Sequence, residues 1–264
     1  MRLSLSESEL RIRDEMRAFL ADHMPAHADL PADFDERIAF LRAWHRTLYS
    51  ARLINISWPE EYGGRGATLL EQIVANQELA RAGAPELVAV VGLEVVGPSI
   101  LQHGTPAQKD AYLQRILSGE DVWCQGFSEP GAGSDLAALR TRAVDRGDHF
   151  VISGQKIWTS WAQYANWCAV LAVTDPDVPA HRGISYLIVD MRSPGIEVRP
   201  LTQITGDAEF SEVFFDEVTV PRENVLGEIG KGWPLAMHTL TNERGPVVMS
   251  VQVKLRAALD ALVA

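Results

Sequence analysis

Cysteine is scarce in this sequence: two in 264 residues, Cys124 and Cys168. That excludes a disulfide framework, and both lie in apolar runs of the kind that bury a free thiol. The two cysteines and seven histidines show no CxxC or HExxH spacing, so no metal site is expected. Basic charge is also in deficit. Lys and Arg number 24 against 35 Asp and Glu, a formal net charge of −11. This is the wrong sign for nonspecific attraction to nucleic acid or anionic membranes. No apolar run is long enough to span a bilayer, since Leu87–Leu101 is interrupted by Gly92, Glu94, Gly97 and Pro98. The opening Met1-Arg-Leu-Ser-Leu5 lacks an apolar signal core. Together these absences predict a soluble cytoplasmic protein with no membrane span and no nucleic-acid partner.

What is present describes a globular chain. At 47% hydrophobic and 22% charged the composition is ordinary for a folded protein. At ~150 residues per domain the length predicts about two domains, large enough to need no metal or disulfide for stability. The first ~120 residues read as helices by the spacing of their apolar positions. Ser6 and Glu9 form a capping box ahead of Ile12, Met16, Phe19 and Leu20. Asp33 caps a stripe of Phe34, Ile38, Leu41, Trp44 and Leu48. Thr68 and Glu71 open a third helix that Gly83 closes. Leu87–His103 is apolar nearly all round and predicts one buried helix ended by Gly104, and Thr105-Pro106 with Gln108 starts the next.

After Gly119 the period shortens. Segments 122–127, 140–145, 149–158, 166–174, 184–190, 195–201 and 211–220 are rich in Val, Ile and aromatics. Turn residues separate them, as at Arg146-Gly147-Asp148 and Thr205-Gly206-Asp207. With no helices between, these strands predict an antiparallel barrel or sandwich. Helix resumes near Trp233 and runs on through Val247 to Ala264 without a cap. The fold class is therefore α+β, divided as 1–121 (helical), 122–230 (β) and 231–264 (the start of a further helical part).

Three clusters could carry chemistry. Phe127-Ser-Glu-Pro-Gly-Ala-Gly-Ser-Asp135 is a run of small residues whose backbone N–H groups can converge on an anion such as a pyrophosphate. It lacks the Lys of a Walker loop and the third Gly of a dinucleotide fingerprint, and a plain Gly-rich connection is the alternative. Gly154-Gln-Lys-Ile-Trp158-Thr159-Ser160-Trp161 sets a Trp beside hydroxyls, as needed to hold a flat conjugated ring, or simply as core aromatics in a strand. Asn242-Glu243-Arg244 lies in an apolar helical setting with Met237, Leu240 and Val251. A carboxylate there can act as a base if its surroundings are dry, whereas a solvated Glu–Arg pair is the commoner arrangement on helices.

Gly126-Phe-Ser-Glu-Pro-Gly-Ala-Gly-Ser-Asp135 resembles the flavin-site signature of the acyl-CoA dehydrogenases. Further motifs agree in order and spacing: Trp58-Pro-Glu-Glu-Tyr-Gly-Gly64, Gly104-Thr-Pro-Ala-Gln-Lys109 with Ser118-Gly-Glu120, Gly154-Gln-Lys-Ile-Trp-Thr-Ser160, and Asn224-Val-Leu-Gly with Gly230-Lys-Gly-Trp233. The resemblance covers essentially the whole chain. It implies FAD as cofactor, bound through Gln125, Phe127, Ser128, Gly133, Ser134, Trp158, Thr159 and Ser160. Phe127 and Gln125 stand where the family usually has a smaller aliphatic residue and an aromatic. The resemblance also implies an acyl-CoA substrate near Ser134 and Arg244, dehydrogenated between its α and β carbons. Glu243 stands where a minority of the family, similar to the isovaleryl and long-chain enzymes, carries the base. Electron-transferring flavoprotein is the implied acceptor, and the implied assembly is a homo- or hetero-oligomer that includes a complete C-terminal bundle. Against that architecture the sequence carries only the bundle's first helix, so Val247, Val251 and Leu255 are expected to be exposed and flavin poorly retained. Two other readings stay open: a noncatalytic subunit that binds a dehydrogenase partner, and a flavin oxidase or monooxygenase on the same fold.

Overall fold

The computed structural model describes residues 4–26 and 30–263, with the side chains of 246–248 also outside the described set. Two compact units emerge. One groups Met1–Val90, Leu117–Gly119 and Asn242–Ala264, and the other holds Val91–Ile116 and Glu120–Thr241.

The first unit contains helices α1 (Glu7–His23), α2 (Phe34–Ser50) and α3 (Leu69–Ala82). Their starts are the predicted ones. The Ser6 and Thr68 hydroxyls accept from the Glu9 and Glu71 N–H groups while each Glu reaches back to the cap backbone, and Asp33 accepts from Glu36 N–H. Gly83 ends α3 in the left-handed conformation. Arg17 on α1 ties to the buried Glu78 on α3 at 2.7 Å. The helix that closes the chain, α8 (Pro246–Val263), lies along α3, with Ser250 Oγ donating to the Asn76 carbonyl at 3.4 Å. Its Val251 and Leu255 are exposed, as expected, together with Leu259 and Leu262. Val247 falls outside the described side chains.

His45 is wholly buried on α2, and its Nε2–H donates to the Leu117 carbonyl at 3.0 Å. Gly119 makes room for it: a Cβ there would lie 2.6 Å from His45 Cδ2, and its φ of +73° favours glycine. Burial pushes the His45 pKa down to about 4.

In the second unit, the stretch expected to form one helix from Leu87 divides into a π-helical turn, Val91–Val96, and α4 (Gly97–His103). Pro98 explains the division. It has no N–H for the Glu94 carbonyl and its ring crowds that oxygen, which the wider turn relieves. Helix α5 (Pro106–Ser118) follows, opened by Thr105 and Gln108, each bonding the other's backbone N–H.

Seven strands form one curled sheet: β1 (Trp123–Gly126), β2 (Arg142–Asp145), β3 (His149–Ser160), β4 (Trp167–Val173), β5 (Ile184–Asp190), β6 (Ile196–Leu201) and β7 (Phe210–Pro221). The order is β1-β4-β2-β3-β7-β6, with β5 on β4. The hairpins are antiparallel as expected, but β1 and β2 both run parallel to β4. β1 occupies Trp167–Val170 of β4 and β2 touches Val173, so β1 and β2 lie end to end along one edge. The Gly-rich segment between them leaves the sheet at that junction. Cys124 and Cys168 face each other in register within the core of Phe150, Ile152, Val213 and Phe215. Burial raises the Cys124 thiol pKa, in keeping with unreactive free thiols.

After the short helix α6 (Ala180–Gly183), helix resumes as α7 (Gly232–Glu243). The single closing helix read from the sequence is thus two, α7 and α8, interrupted at Arg244-Gly245. The interruption follows from Gly245, a weak helix former, directly before Pro246, which disfavours helical geometry in the residue preceding it.

His45 predicts a pH dependence. Its folded pKa lies below the ordinary 6.5, so its contribution is intact above pH 6.5 and is lost as pH falls toward 4. Between pH 6.5 and 5, wild-type stability should fall more steeply than that of His45→Gln by about 1 kcal/mol per pH unit. Denaturant melts across that range test this, and equal slopes would refute it.

Candidate functional site

The two motif segments of the second unit lie side by side. Ile157 N–H donates to the Ser128 carbonyl at 3.0 Å. Lys156 Nζ donates to the Phe127 carbonyl at 3.0 Å and to Glu129 Oε1 at 2.8 Å. Glu129 also accepts the backbone N–H groups of Arg140 (2.6 Å) and Thr141 (2.9 Å). Its own backbone pairs with Ala132 in both directions, closing the turn. Lys156 is wholly buried and Glu129 nearly so. Burial works to raise the Glu129 pKa, but Lys156 and the donors at Thr141 outweigh it and leave the carboxyl below its ordinary value. Burial lowers Lys156, and Glu129 offsets part of that.

A bulge aims the aromatic. Lys156 pairs with Val213 and Thr159 with Ser211, so Ile157 and Trp158 stand opposite Glu212 alone. Trp158 adopts φ +58° and is 60% exposed, edge-on to Phe210 at 6.0 Å. A large aromatic held outward by a left-handed backbone is unusual for L residues. Thr159, next to it, is wholly buried, and its Oγ1 has no hydrogen-bond partner. Gln125 Nε2, on β1, is likewise buried and unpaired. Ser160 is half-buried at the strand end.

Gly131 and Gly133 add a further sign. A Cβ at either position meets nothing within 4 Å, and neither has a positive φ. Among the described residues no contact calls for glycine there, so their bareness leaves backbone open to something from outside. Ser134 is exposed beside them. Phe127 behaves differently from its neighbours. Its ring is buried against Tyr186, edge to face at 5.7 Å, and serves the core.

Glu243 is the last residue of α7 and Arg244 lies in the break; both side chains are exposed. The apolar enclosure expected around Glu243 is absent among the described residues, because the interruption at Gly245 puts it at a helix end. Sequence reading missed Lys156 as a site residue. The signal was there: Lys156 has the same strand parity as the buried Phe150 and Ile152, and a lysine on an inward face requires a partner. Among the described residues no group of three or more His, Cys, Asp or Glu gathers as for a metal ion, and no helix is long and apolar enough to cross a membrane.

Helices leading into a curled sheet with a Gly-rich turn are shared with known proteins. Residues 6–120 match the N-terminal domain of acyl-CoA dehydrogenases and residues 124–218 the middle domain. The chain is 44% identical over 257 residues to acyl-CoA dehydrogenase IpdE1 of Mycobacterium tuberculosis, covering 95% of this chain and 67% of that protein. The Tcur3481-Tcur3483 steroid ACAD superposes with a TM-score of 0.84 at 36% identity, covering 100% of this chain and 68% of that one. The crystal structure of the ChsE4-ChsE5 complex from Mycobacterium tuberculosis gives 0.75 at 36% identity, over 92% and 61%. This chain spans about two thirds of the length of these relatives. It belongs to the acyl-CoA dehydrogenase family.

Members of that family are FAD-dependent flavoproteins, and the residues present fit that group. The unpaired Gln125 and Thr159 atoms, the outward Trp158 and the bare glycines are the features a bound ring and pyrophosphate call for. The orphaned hydroxyl makes a ligand-free prediction. Thr159→Val should leave the stability of the chain without flavin unchanged within ~0.5 kcal/mol or raise it, since no hydrogen bond is lost. A loss above ~2 kcal/mol in a denaturant melt would show that the hydroxyl is bonded after all.

Proposed function

We propose that this chain carries the flavin site and base of an FAD-dependent acyl-CoA dehydrogenase, which converts an acyl-CoA thioester to its trans-2-enoyl product. The observation that carries the reading is the Ile157–Trp158 bulge beside the Ser128 segment, with Thr159 next to it: an exposed aromatic adjoining a buried hydroxyl with no partner. In this reading residues 1–121 form an N-terminal helical domain, 122–230 the β domain and 231–264 the start of a C-terminal helical part.

Gln125, Phe127, Ser128, Trp158, Thr159 and Ser160 bind the ring, with Phe127 acting through its backbone. The open backbone at Gly133 and Ser134 binds the pyrophosphate, and Ser134 also meets the acyl-CoA. Bound FAD supplies the acceptor for the substrate's β-hydrogen. Glu243 takes the α-proton, and Arg244 lies at the thioester end. Hydrogen-bond donors fixed in advance stabilise the enolate-like charge on the thioester oxygen better than water, because they need not reorient during the reaction. A partner chain or further copy that covers Glu243 would supply the dry surroundings a carboxylate base needs.

The relative described as a steroid ACAD makes a sterol-derived acyl group the first substrate to try. The ChsE4-ChsE5 complex supports a second reading, in which this chain is the noncatalytic member of a mixed assembly. Electron-transferring flavoprotein is the acceptor proposed by family.

Supplied with FAD, the protein should turn yellow and bleach anaerobically with an acyl-CoA. Glu243→Gln should keep its flavin and lose reduction by at least ~10³-fold. Reduction at a near wild-type rate in that variant would remove Glu243 as base. A colourless protein that gains flavin only on mixing with a second chain would favour the noncatalytic reading.

A further inference from the structure

Lys156 is sealed from solvent and Glu129 nearly so. Their side chains are buried together, 2.8 Å apart. A buried ion pair is a poor choice for stability alone, because well-packed apolar residues of similar volume usually do as well. What this pair supplies is bonding to backbone. Lys156 binds the Phe127 carbonyl, and Glu129 binds the N–H groups of Arg140 and Thr141. The Phe127 carbonyl immediately precedes Ser128, whose own carbonyl receives Ile157 N–H at 3.0 Å. Ile157 in turn precedes Trp158, and both lie in the bulge of β3. Each segment therefore bears on the other through Lys156, which belongs to one and binds the backbone of the other. Apolar replacements cannot make these bonds.

We propose that Lys156 and Glu129 are positioning residues that lock the Ser128 segment to the Trp158 bulge and thereby set the geometry of the flavin pocket. This inference rests on the flavin reading above, and its test separates the two. Glu129→Gln/Lys156→Met removes both charges together, so neither is left buried alone. Compared with Lys156→Met, the double variant should regain most of the lost thermal midpoint. The Ile157 amide should nevertheless exchange with deuterium at least ~10-fold faster, relative to the slowest amides of β4. Flavin should bind at least ~10-fold more weakly, with a displaced visible spectrum.

A double variant with wild-type exchange at Ile157, wild-type flavin affinity and an unchanged spectrum would overturn the proposal. Glu129→Asp keeps both charges but withdraws the carboxylate by one methylene, and it carries the same readouts if the neutral pair does not fold. If the wild-type chain takes up no flavin, the flavin reading fails by itself. The exchange measurement then decides the lock: faster exchange at Ile157 upholds it and unchanged exchange refutes it.

Discussion

A lysine and a glutamate enclosed together at the sheet's interior face are the constraint on which the candidate site depends. Two charges taken out of water must be paired and hydrogen-bonded, or the structure loses several kcal/mol. Lys156 and Glu129 meet that requirement by drawing in backbone. The Phe127 carbonyl and the Arg140 and Thr141 N–H groups complete their shells. Satisfying the charges therefore fixes the path of the chain from β1, through the Gly-rich turn, to the entry of β2. Gly131 and Gly133 leave room for a Cβ on the outer side of the loop, while Phe127, Ala132 and Leu136 pack inward. The ion pair, the paired Glu129 and Ala132 backbones and the Ile157–Ser128 bond hold it together.

The sheet gives this arrangement its place. β1 and β2 share one edge of β4, so the loop between them departs from mid-edge rather than from a sheet end. Across it, β3 brings Lys156 inward and, two residues on, turns Trp158 outward. That combination needs the bulge. The same strand thus supplies a buried anchor and an exposed aromatic within three residues, with rigid pairing to β7 on either side. Chemistry that depends on a ring and a phosphate lying at fixed separation is well served by such a frame.

Much of this was legible in the sequence. Capping residues marked the starts of α1, α2 and α3 because a hydroxyl or carboxylate bonding its own backbone is a local event. The strand segments appeared as short β-rich runs between turn residues, and the flavin motifs as ordered clusters. What escaped depends on residues distant in sequence. Parallel pairing of β1 and β2 with β4 cannot be read from strands that look like successive hairpins. Pro98 was visible, but its consequence, a π-helical turn, depends on whether the buried backbone can yield. Gly245-Pro246 marked the interruption between α7 and α8, yet apolar spacing on both sides suggested continuity. Lys156 read as one residue of the Gly154–Trp161 cluster, and only contact with Glu129, 27 positions earlier in the chain, shows why a cation belongs there.

The bulge at Ile157-Trp158 also bears on how this site could change. Side chains in a strand alternate between faces, and the bulge absorbs one extra residue so that Lys156 and Thr159, three positions apart, both face inward. Removing one residue of the bulge would leave a single residue opposite Glu212, with Lys156 and Thr159 still facing inward opposite Val213 and Ser211. The left-handed backbone that now carries the indole would be lost, while the buried hydroxyl kept its place. A one-residue change of length here therefore acts on the aromatic and spares the inward-facing residues on either side.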